Sequence, residues 1–232
     1  WVCVYSTHDL KKIDSTKSEL FKNFYGEKFE LGKMIPLTTT HKNKYTAQQT
    51  KDVWDKFEKF LIEEKFEKIF EIGTGFGGLI EFIHDVSKDN NIKSEIITID
   101  IDSVNSRLIE LGINNLQLDA LDVNNMPNFD KFLNTNEKLL ILCDGWNKPN
   151  EFNVFSKFLK IGDFIMAHDY CIDDDYFDRY IKYKKWNWCQ IKEVDISQTC
   201  KKYELEDYTN INFQDEMWVC KTKKTETKKS LF

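Results

Sequence analysis

Residues 70–78 read FEIGTGFGG, and this stretch is the most informative one in the chain. It follows the apolar run Ile69–Ile72 and precedes an amphipathic segment, so it predicts a turn between a buried strand and a helix. Glycine lets such a turn bend sharply, and it lets a ligand approach the backbone N–H groups at the start of the helix. Ligands of open α/β sheets bind at this edge. We therefore expect a ligand-binding loop rather than a purely structural turn.

The same alternation of apolar runs and amphipathic segments continues along the chain after the loop. The runs are short and continuous, as expected of strands that are buried on both faces. They lie at Ile69–Ile72, Ile96–Ile101, Leu116–Leu118, Leu139–Cys143 and Phe164–Ala167. The repeated order of strand and helix predicts an α/β fold with a doubly wound, mostly parallel sheet and right-handed crossovers.

The two ends of the chain carry weaker patterns. We interpret residues 1–45 as a lead-in that packs on the domain, with Val2–Tyr5 as a candidate edge strand. The domain itself is expected over residues 46–222, beginning with a helix that is capped by Thr46. Residues 223–232 are rich in lysine and are expected to form a flexible basic tail.

The last third of the domain departs from the strand–helix alternation. Its pattern predicts a helix near 174–185 and two strands, over Gln190–Ile196 and Glu216–Thr222. We expect these strands to pair as an antiparallel hairpin that closes one edge of the sheet. Trp186 and Trp188 are expected to be core residues in this phenylalanine-rich chain.

The overall composition excludes several classes of protein. The 232 residues are 41% hydrophobic and 31% charged, which is typical of one soluble globular domain. No run approaches the roughly 20 apolar residues of a membrane-spanning helix. The net charge of -6 disfavours a general nucleic-acid binder. Six cysteines without a CxxC pair indicate buried thiols in a reducing compartment, so we expect a cytoplasmic protein.

Two classes of ligand compete for the glycine loop. Gly73, Gly75 and Gly78 satisfy the pattern GxGxxG, and Asp100 closes the next apolar run, so a nicotinamide dinucleotide is one candidate. Glu71, however, lies at a strand position that is usually apolar in dinucleotide sites. Further acidic residues follow the next two apolar runs. Together these features favour S-adenosylmethionine.

The segment Glu71–Gly77 resembles the motif E/D-x-G-x-G-x-G of the class I S-adenosylmethionine-dependent methyltransferases. The resemblance covers about residues 46–222 and implies a Rossmann-like, mostly parallel seven-stranded sheet with an antiparallel C-terminal edge strand. It implies that the loop holds the methionine part of the donor, that Asp100 accepts hydrogen bonds from both ribose hydroxyls, and that Asp119 meets the adenine amino group. The implied donor-binding residues are Glu71, Gly73, Thr74, Gly75, Gly77, Asp100, Ile101, Asp119, Ala120 and Asp144.

A second group of polar residues follows the fourth and fifth apolar runs. Asp144, His168 and Asp169 come after neighbouring parallel strands, so we expect their side chains to converge beside the donor. Two carboxylates and an imidazole form a donor set for Mg²⁺ or Mn²⁺. The alternatives are structural: Asp144 forms a turn, and Asp169 caps the helix that follows.

This second pattern resembles the metal-dependent macrocin O-methyltransferase and cephalosporin hydroxylase-like groups. The resemblance implies a metal bound by Asp144, His168 and Asp169, with His168 at a position that is acidic in those groups. It also implies catalytic roles for Asp144 and His168, and the proton of the acceptor hydroxyl passes to His168, to another group or to solvent. Asn147 stands where some of those enzymes carry a catalytic histidine, and an amide cannot act as a general base.

The function predicted from these residues is methyl transfer to a hydroxyl group of a small molecule or glycan, aided by a divalent metal. The chain has no D/N/S-P-P-Y/F/W motif after its fourth strand and no Pro-Cys dipeptide, which disfavours methylation of DNA bases. Three alternatives stay open: an RNA methyltransferase, a catalytically inactive donor-binding module and a nicotinamide enzyme.

Overall fold

The computed structural model describes residues 35–102 and 104–223. The strands are β1 Thr38–His41, β2 Tyr45–Gln48, β3 Lys68–Ile72, β4 Glu95–Asp100, β5 Asn114–Gln117, β6 Leu139–Cys143, β7 Phe164–Ala167, β8 Tyr170–Cys171, β9 Ile191–Lys192, β10 Leu205–Asp207 and β11 Val219–Lys223. The α-helices are α1 Val53–Glu64, α2 Gly78–Asp89, α3 Ser106–Glu110, α4 Asp130–Leu133, α5 Lys148–Phe155, α6 Asp174–Tyr176 and α7 Glu193–Tyr203. Short 3-10 turns cover Met126–Asn128, Ser156–Phe158 and Gln214–Glu216, and a π-helical turn covers Phe177–Ile181.

Seven of these strands form one sheet in the order β10-β11-β7-β6-β3-β4-β5. Strands β3 to β7 are parallel, whereas β11 runs antiparallel to both β7 and β10. The predicted doubly wound, mostly parallel seven-stranded sheet with an antiparallel C-terminal strand is therefore confirmed. β11 lies one place in from the edge, which β10 forms.

The register brings the strand ends into line. Ile72 pairs with Ile99 and with Cys143, and Cys143 pairs with Ala167. Because these strands are parallel, the loops that follow β3, β4, β6 and β7 all open at the same edge of the sheet.

Successive strand residues point into two different cores, one on each face of the sheet. In β3, Ile69 packs under α1 and α2, whereas Phe70 and Ile72 pack toward α5. In β6, Leu140 and Ile141 divide in the same way. This arrangement explains the continuous apolar runs, because both faces of each strand are covered. Each large apolar side chain buried in this way contributes roughly 1.5–3 kcal/mol to stability.

The start of the domain differs from the prediction. Thr46 lies in β2, which pairs with β1 in a hairpin, and it does not cap a helix. Tyr45 and Ala47 are buried and their neighbours are half-buried, so the burial here repeats every two residues, as in a strand. The helix α1 begins at Val53, after Asp52 as its N-cap.

The C-terminal hairpin predicted between Gln190–Ile196 and Glu216–Thr222 is wrong. β9 pairs in parallel with β8, residues 193–203 form α7, and β11 pairs with β10. Ile196 and Cys200 are both buried and lie four positions apart, which is the spacing of one helix face. The helix predicted near 174–185 is also shorter, because α6 and the π-helical turn after it end at Ile181.

Two predictions lie outside the described residues: the edge strand at Val2–Tyr5, and the tail from Lys224 onward. The division into a lead-in, a domain and a tail stays a prediction. Over residues 35–102 and 104–223, no helix has both the length and the apolar character that crossing a membrane requires.

Candidate functional site

The glycine loop after β3 has the backbone conformation that its sequence predicts. Gly73, Gly75 and Gly77 all have positive φ, at +94°, +51° and +77°. Residues that carry a Cβ atom rarely adopt φ values in this region, whereas glycine adopts them readily. A Cβ atom added at Gly73 would also lie only 2.2 Å from the backbone oxygen of Asp144. Glycine is therefore required at Gly73 twice over, by its conformation and by the close approach of the loop after β6.

A buried chain of hydrogen bonds supports this loop from below. Asn115 donates to the Thr74 hydroxyl at 3.3 Å, Thr74 and Thr98 share a hydrogen bond of 2.7 Å, and Thr98 donates to Glu71. Glu71 is only 1% exposed. Burial raises the pKa of Glu71 well above its usual range, and the nearby carboxylate of Asp144 adds to this, while the Thr98 bond opposes it. In this structure Glu71 is a support for the loop, and its contact with a donor stays a prediction.

Asp100 joins the end of β4 to the glycine loop. The Gly75 N–H donates to Asp100 Oδ2 at 2.9 Å, and the Asp102 N–H donates to Asp100 Oδ1 at 2.9 Å. The structure thus brings together the loop and the carboxylate that the sequence paired with it. Asp102 contributes only its backbone N–H to this arrangement.

The predicted adenine end of the site lies beside Asp100. Ile101 is 57% exposed, which leaves an apolar surface at the open edge of the sheet. Asp119 is exposed and follows β5, in which Gln117 pairs with Asp100. The Asp119 Oδ1 atom accepts a hydrogen bond from the Leu121 N–H. Ala120 is buried in the core, and its contact with the donor stays a prediction.

The second predicted group does converge. Asp144, His168 and Asp169 each present a ligand atom, and these atoms all lie within 4.8 Å of one another. His168 Nδ1 lies 3.0 Å from Asp144 Oδ1 and 3.8 Å from Asp169 Oδ1. Two carboxylates and an imidazole in this span suit a divalent cation. The chemistry of these three side chains therefore fits the metal site that the sequence predicts.

Lys148 lies among these same residues, and the sequence reasoning missed it. Its Nζ is 2.9 Å from Asp169 Oδ2 and 3.5 Å from Asp144 Oδ1. It also donates to the Gly145 oxygen at 2.8 Å and to Gln190 Oε1 at 2.7 Å, and the residue is only 4% exposed. The i,i+4 spacing from Asp144 was the one sequence signal that could have revealed it.

The charges of this cluster are strongly coupled. Burial alone lowers the pKa of Lys148, but the carboxylates of Asp169, Asp144 and Glu151 outweigh burial and raise it. Burial alone raises the pKa of Asp169, but Lys148 and His168 outweigh burial and hold it below its usual range. The buried ammonium and the buried carboxylate therefore stabilise each other's charged forms.

His168 is enclosed by aromatic rings and is only 2% exposed. Its ring stacks on Trp218 with centroids 4.8 Å apart, and Trp186 approaches edge-on at 5.0 Å. Nε2 is buried and has no hydrogen-bond partner within the part of the chain that the structure describes. Gln49 ties this region together, because it donates to Asp144 Oδ2 and accepts from the Trp218 indole.

The backbone explains how the carboxylates reach these positions. Asp169 has φ +56°, and its Oδ1 accepts a hydrogen bond of 2.5 Å from the Trp186 indole. It does not cap the next helix, since Asp173 does so by accepting from the Tyr176 N–H. Trp186 is a core residue, as predicted, but it also holds Asp169.

The loop between β6 and α5 is held by Glu151. Its two carboxylate oxygens accept hydrogen bonds from the N–H groups of Gly145 and Asn147, at 3.1 and 2.9 Å. Burial raises the pKa of Glu151 to about 7, against the opposing effects of Lys148 and the two amides. Asn147 caps α5 through its side chain. It therefore has a structural role at the position where a catalytic histidine was considered.

Comparison with known proteins identifies a family for this chain. The sequence model of the family described as Rhamnosyl O-methyltransferase/CmcI matches residues 36–215. No curated protein sequence matches the chain.

Solved structures share the fold at low sequence identity. An apo structure of CmcI is 17% identical and covers 78% of this chain and 74% of that chain, with a TM-score of 0.55. A structure of CmcI with Mg and SAM is 18% identical and covers 76% and 73%, with a TM-score of 0.55. An O-methyltransferase family protein from Burkholderia thailandensis is 8% identical and covers 75% and 56%, with a TM-score of 0.52.

Proposed function

The chain belongs to the rhamnosyl O-methyltransferase/CmcI family and is an S-adenosylmethionine-dependent O-methyltransferase, and from this premise we propose that it methylates a hydroxyl group of a small molecule or a sugar. The observation that carries this proposal is the hydrogen bond between the Gly75 amide and Asp100 at the open edge of the parallel sheet. It fixes a glycine loop and a ribose-binding carboxylate next to each other, as a nucleoside donor requires.

The donor is assigned to the edge formed by β3, β4 and β5. The loop Gly73–Gly77 holds its methionine part, and Asp100 accepts hydrogen bonds from the vicinal ribose hydroxyls. Ile101 covers one face of the adenine ring, and Asp119 accepts from the adenine amino group. Glu71 supports this loop from beneath, through Thr98 and Thr74.

The acceptor is assigned to the edge formed by β6 and β7. Asp144 holds the His168 ring through Nδ1, which leaves Nε2 to take a proton. In the transfer step the acceptor oxygen attacks the methyl carbon, the bond from that carbon to sulfur breaks, and the hydroxyl proton passes to His168 Nε2. The main task of the protein is to align this in-line displacement and to exclude water.

A divalent ion in this site would be held by Asp144, His168 and Asp169, and with its one available lone pair on the ion His168 could not also take the proton. In that state the proton would pass to another group or to solvent. When bound, it would act as a Lewis acid that lowers the pKa of the acceptor hydroxyl. Lys148 forms ion pairs with the same carboxylates, so an ion and the lysine ammonium compete for them.

Two measurements test the proposed function. Isothermal titration calorimetry with S-adenosylhomocysteine should show one binding site per chain, and absence of binding would remove the proposal. With tritiated S-adenosylmethionine, label should pass to hydroxyl-bearing small molecules or sugars.

A histidine substitution then tests the acceptor half. His168→Ala should lower methyl transfer by at least about 100-fold and leave the affinity for S-adenosylhomocysteine within about threefold. His84→Ala is the matched control, because His84 also contacts an aspartate, Asp85, but lies on α2 away from the site. Full activity of His168→Ala would indicate that His168 is not the base.

A further inference from the structure

The surroundings of Lys148 are those of a bound cation. Its ammonium has four oxygen neighbours, from the Gly145 carbonyl, Gln190, Asp169 and Asp144, at 2.7 to 3.5 Å. The three shortest of these contacts account for the three protons of the ammonium group. Lys148 is therefore fully coordinated by the protein.

The lysine is built into this position rather than resting on the surface. Lys148 is the first residue of α5, and it is only 4% exposed. Its side chain is therefore enclosed by the protein. Gln190 reaches it from the segment before β9, and the Gly145 carbonyl reaches it from the loop after β6. With Asp169, which follows β7, oxygens from three separate parts of the chain thus surround one ammonium.

The same carboxylates are the candidate metal ligands. An ion bound by Asp144, His168 and Asp169 would lie within a few ångströms of Lys148 Nζ, because Nζ contacts two of those three residues. Two cations at that separation repel strongly where water is excluded. The ammonium and a divalent ion are therefore alternative occupants of one charge site.

We infer that Lys148 is the resident cation of this site: its ammonium neutralises Asp144 and Asp169 in place of a divalent ion, and an ion binds there only when the lysine has left. The inference deepens the proposed function, on which its catalytic meaning rests. Its consequence is that the free protein holds divalent ions weakly although three ligand atoms are in place.

Mn²⁺ binding measured by electron paramagnetic resonance tests this without any assay of activity. We expect the wild-type chain to bind Mn²⁺ with a Kd weaker than about 1 mM, and Lys148→Met to bind it at least about 30-fold more tightly, because the repelling charge is gone and two carboxylates are unpaired. Lys148→Arg keeps the charge and should bind as weakly as wild type. Equal Mn²⁺ affinity of wild type and Lys148→Met would overturn the inference.

A second buried lysine provides the matched control. Lys221 is also buried and pairs with two carboxylates, Glu193 and Asp207, at 3.1 and 2.8 Å. Lys221→Met should show no comparable gain in Mn²⁺ affinity, because the described residues place no histidine ligand in that pair. An equal gain in Lys221→Met would mean that unpaired carboxylates alone explain the result, and would overturn the inference.

A second measurement applies if Lys148→Met folds poorly. If Lys148→Met is unfolded, Mn²⁺ at millimolar concentration should restore its circular dichroism and raise its Tm, because the ion replaces the lost charge. The double variant Lys148→Met with Asp169→Asn should lose this rescue. No rescue by Mn²⁺ of Lys148→Met or of the milder Lys148→Gln would overturn the inference.

Binding of S-adenosylhomocysteine to the same preparations separates the two proposals. If the donor analogue binds and the Mn²⁺ affinities do not differ, only the inference about Lys148 fails. If the Mn²⁺ affinities differ and no donor analogue binds, the charge site stands and the proposed function fails.

Discussion

The carboxyl edge of the sheet has two parts, which we name the donor edge, after β3, β4 and β5, and the acceptor edge, after β6 and β7. These two parts are built by different interactions. At the donor edge, after β3, β4 and β5, the carboxylates of Asp100 and Asp119 accept hydrogen bonds from nearby backbone N–H groups. At the acceptor edge, after β6 and β7, Asp144 and Asp169 are held by the side chains of other elements. One edge is organised by the backbone of its own loops, and the other by distant side chains.

The difference has an electrostatic consequence. The donor edge leaves the carboxylates of Asp100 and Asp119 at least partly exposed, as a site for a charged and polar nucleoside requires. The acceptor edge buries the carboxylate of Asp169 and compensates it with a buried ammonium. A substitution at the donor edge should therefore change ligand binding, whereas one at the acceptor edge should change stability as well.

The largest effect is expected where the two edges meet, at Gly73. Gly73→Ala adds a Cβ atom 2.2 Å from the Asp144 oxygen at a φ of +94°. Because the oxygen belongs to the backbone and the position of a Cβ is fixed by the backbone that carries it, neither atom can give way easily. We expect a loss of more than about 4 kcal/mol in the free energy of unfolding. Urea denaturation followed by circular dichroism measures it.

Gly112→Ala is the control for Gly73→Ala. Gly112 also has positive φ, at +83°, but an added Cβ meets no heavy atom of the described residues within 4 Å. Its loss should be about 1 kcal/mol, from backbone strain alone. Equal losses in the two variants would show that the contact between the edges is not what requires glycine at Gly73.

The next effect concerns the stability of the acceptor edge and its dependence on pH. Lys148 faces three carboxylates, those of Asp144, Asp169 and Glu151. Lys148→Met removes the counterion from all three and leaves Asp169 and Glu151 buried without it, so we expect a loss of about 3–5 kcal/mol at pH 8. Urea denaturation at pH 5, 6.5 and 8 measures this.

The sign of that pH dependence follows from the pKa of Asp169. In wild type, Lys148 holds the pKa of Asp169 below its usual range, so the stability that Asp169 contributes is present above its unfolded pKa and is lost on acidification. In Lys148→Met, burial dominates and raises that pKa, so stability is instead lost as the pH rises. A loss that is equal at pH 5 and pH 8 would contradict this coupling. Lys221→Met, whose carboxylate partners are more exposed, should depend less on pH.

At the donor edge we expect a loss of affinity with little loss of stability. Asp100→Asn should weaken binding of S-adenosylhomocysteine by about 10- to 100-fold, because hydrogen bonds to a charged acceptor contribute about 1.5–3 kcal/mol. Calorimetry measures the affinity. Asp102→Asn is the control, since Asp102 contributes its backbone N–H to Asp100. Equal weakening by both variants would argue against a specific ribose contact of Asp100.

The smallest effect is expected at Ile101. Ile101→Ala should weaken binding of S-adenosylhomocysteine by about three- to tenfold through lost apolar contact, and leave the free energy of unfolding within about 0.5 kcal/mol. Ile161→Ala is the control, because Ile161 is 47% exposed but lies before β7, at the opposite edge of the sheet. A change in affinity in Ile161→Ala would point to a general effect on the fold.

The errors of the sequence reasoning fall outside the parallel sheet. Thr46 and the segment 193–203 were misassigned because short segments at the periphery contain few apolar residues. These are too few to distinguish the two-residue period of a strand from the 3.6-residue period of a helix. The parallel strands were found because each is buried on both faces and is apolar without interruption. Lys148 was missed because a lysine at the start of a helix usually lies in solvent, and its burial depends on contacts with Asp169 and with Gln190.

The sequence alone was sufficient for the doubly wound sheet and for the loop at Gly73–Gly77, because continuous apolar runs and glycines with positive φ act over a few neighbouring residues. The tertiary structure decided how Asp144, His168 and Asp169 are held together, and that Asp169 is paired with Lys148. Gln49 reaches Asp144 across 95 positions of sequence, and two tryptophans enclose His168. Electrostatic energies depend on burial and on the distance between charges, and folding sets both by bringing together residues far apart in the chain.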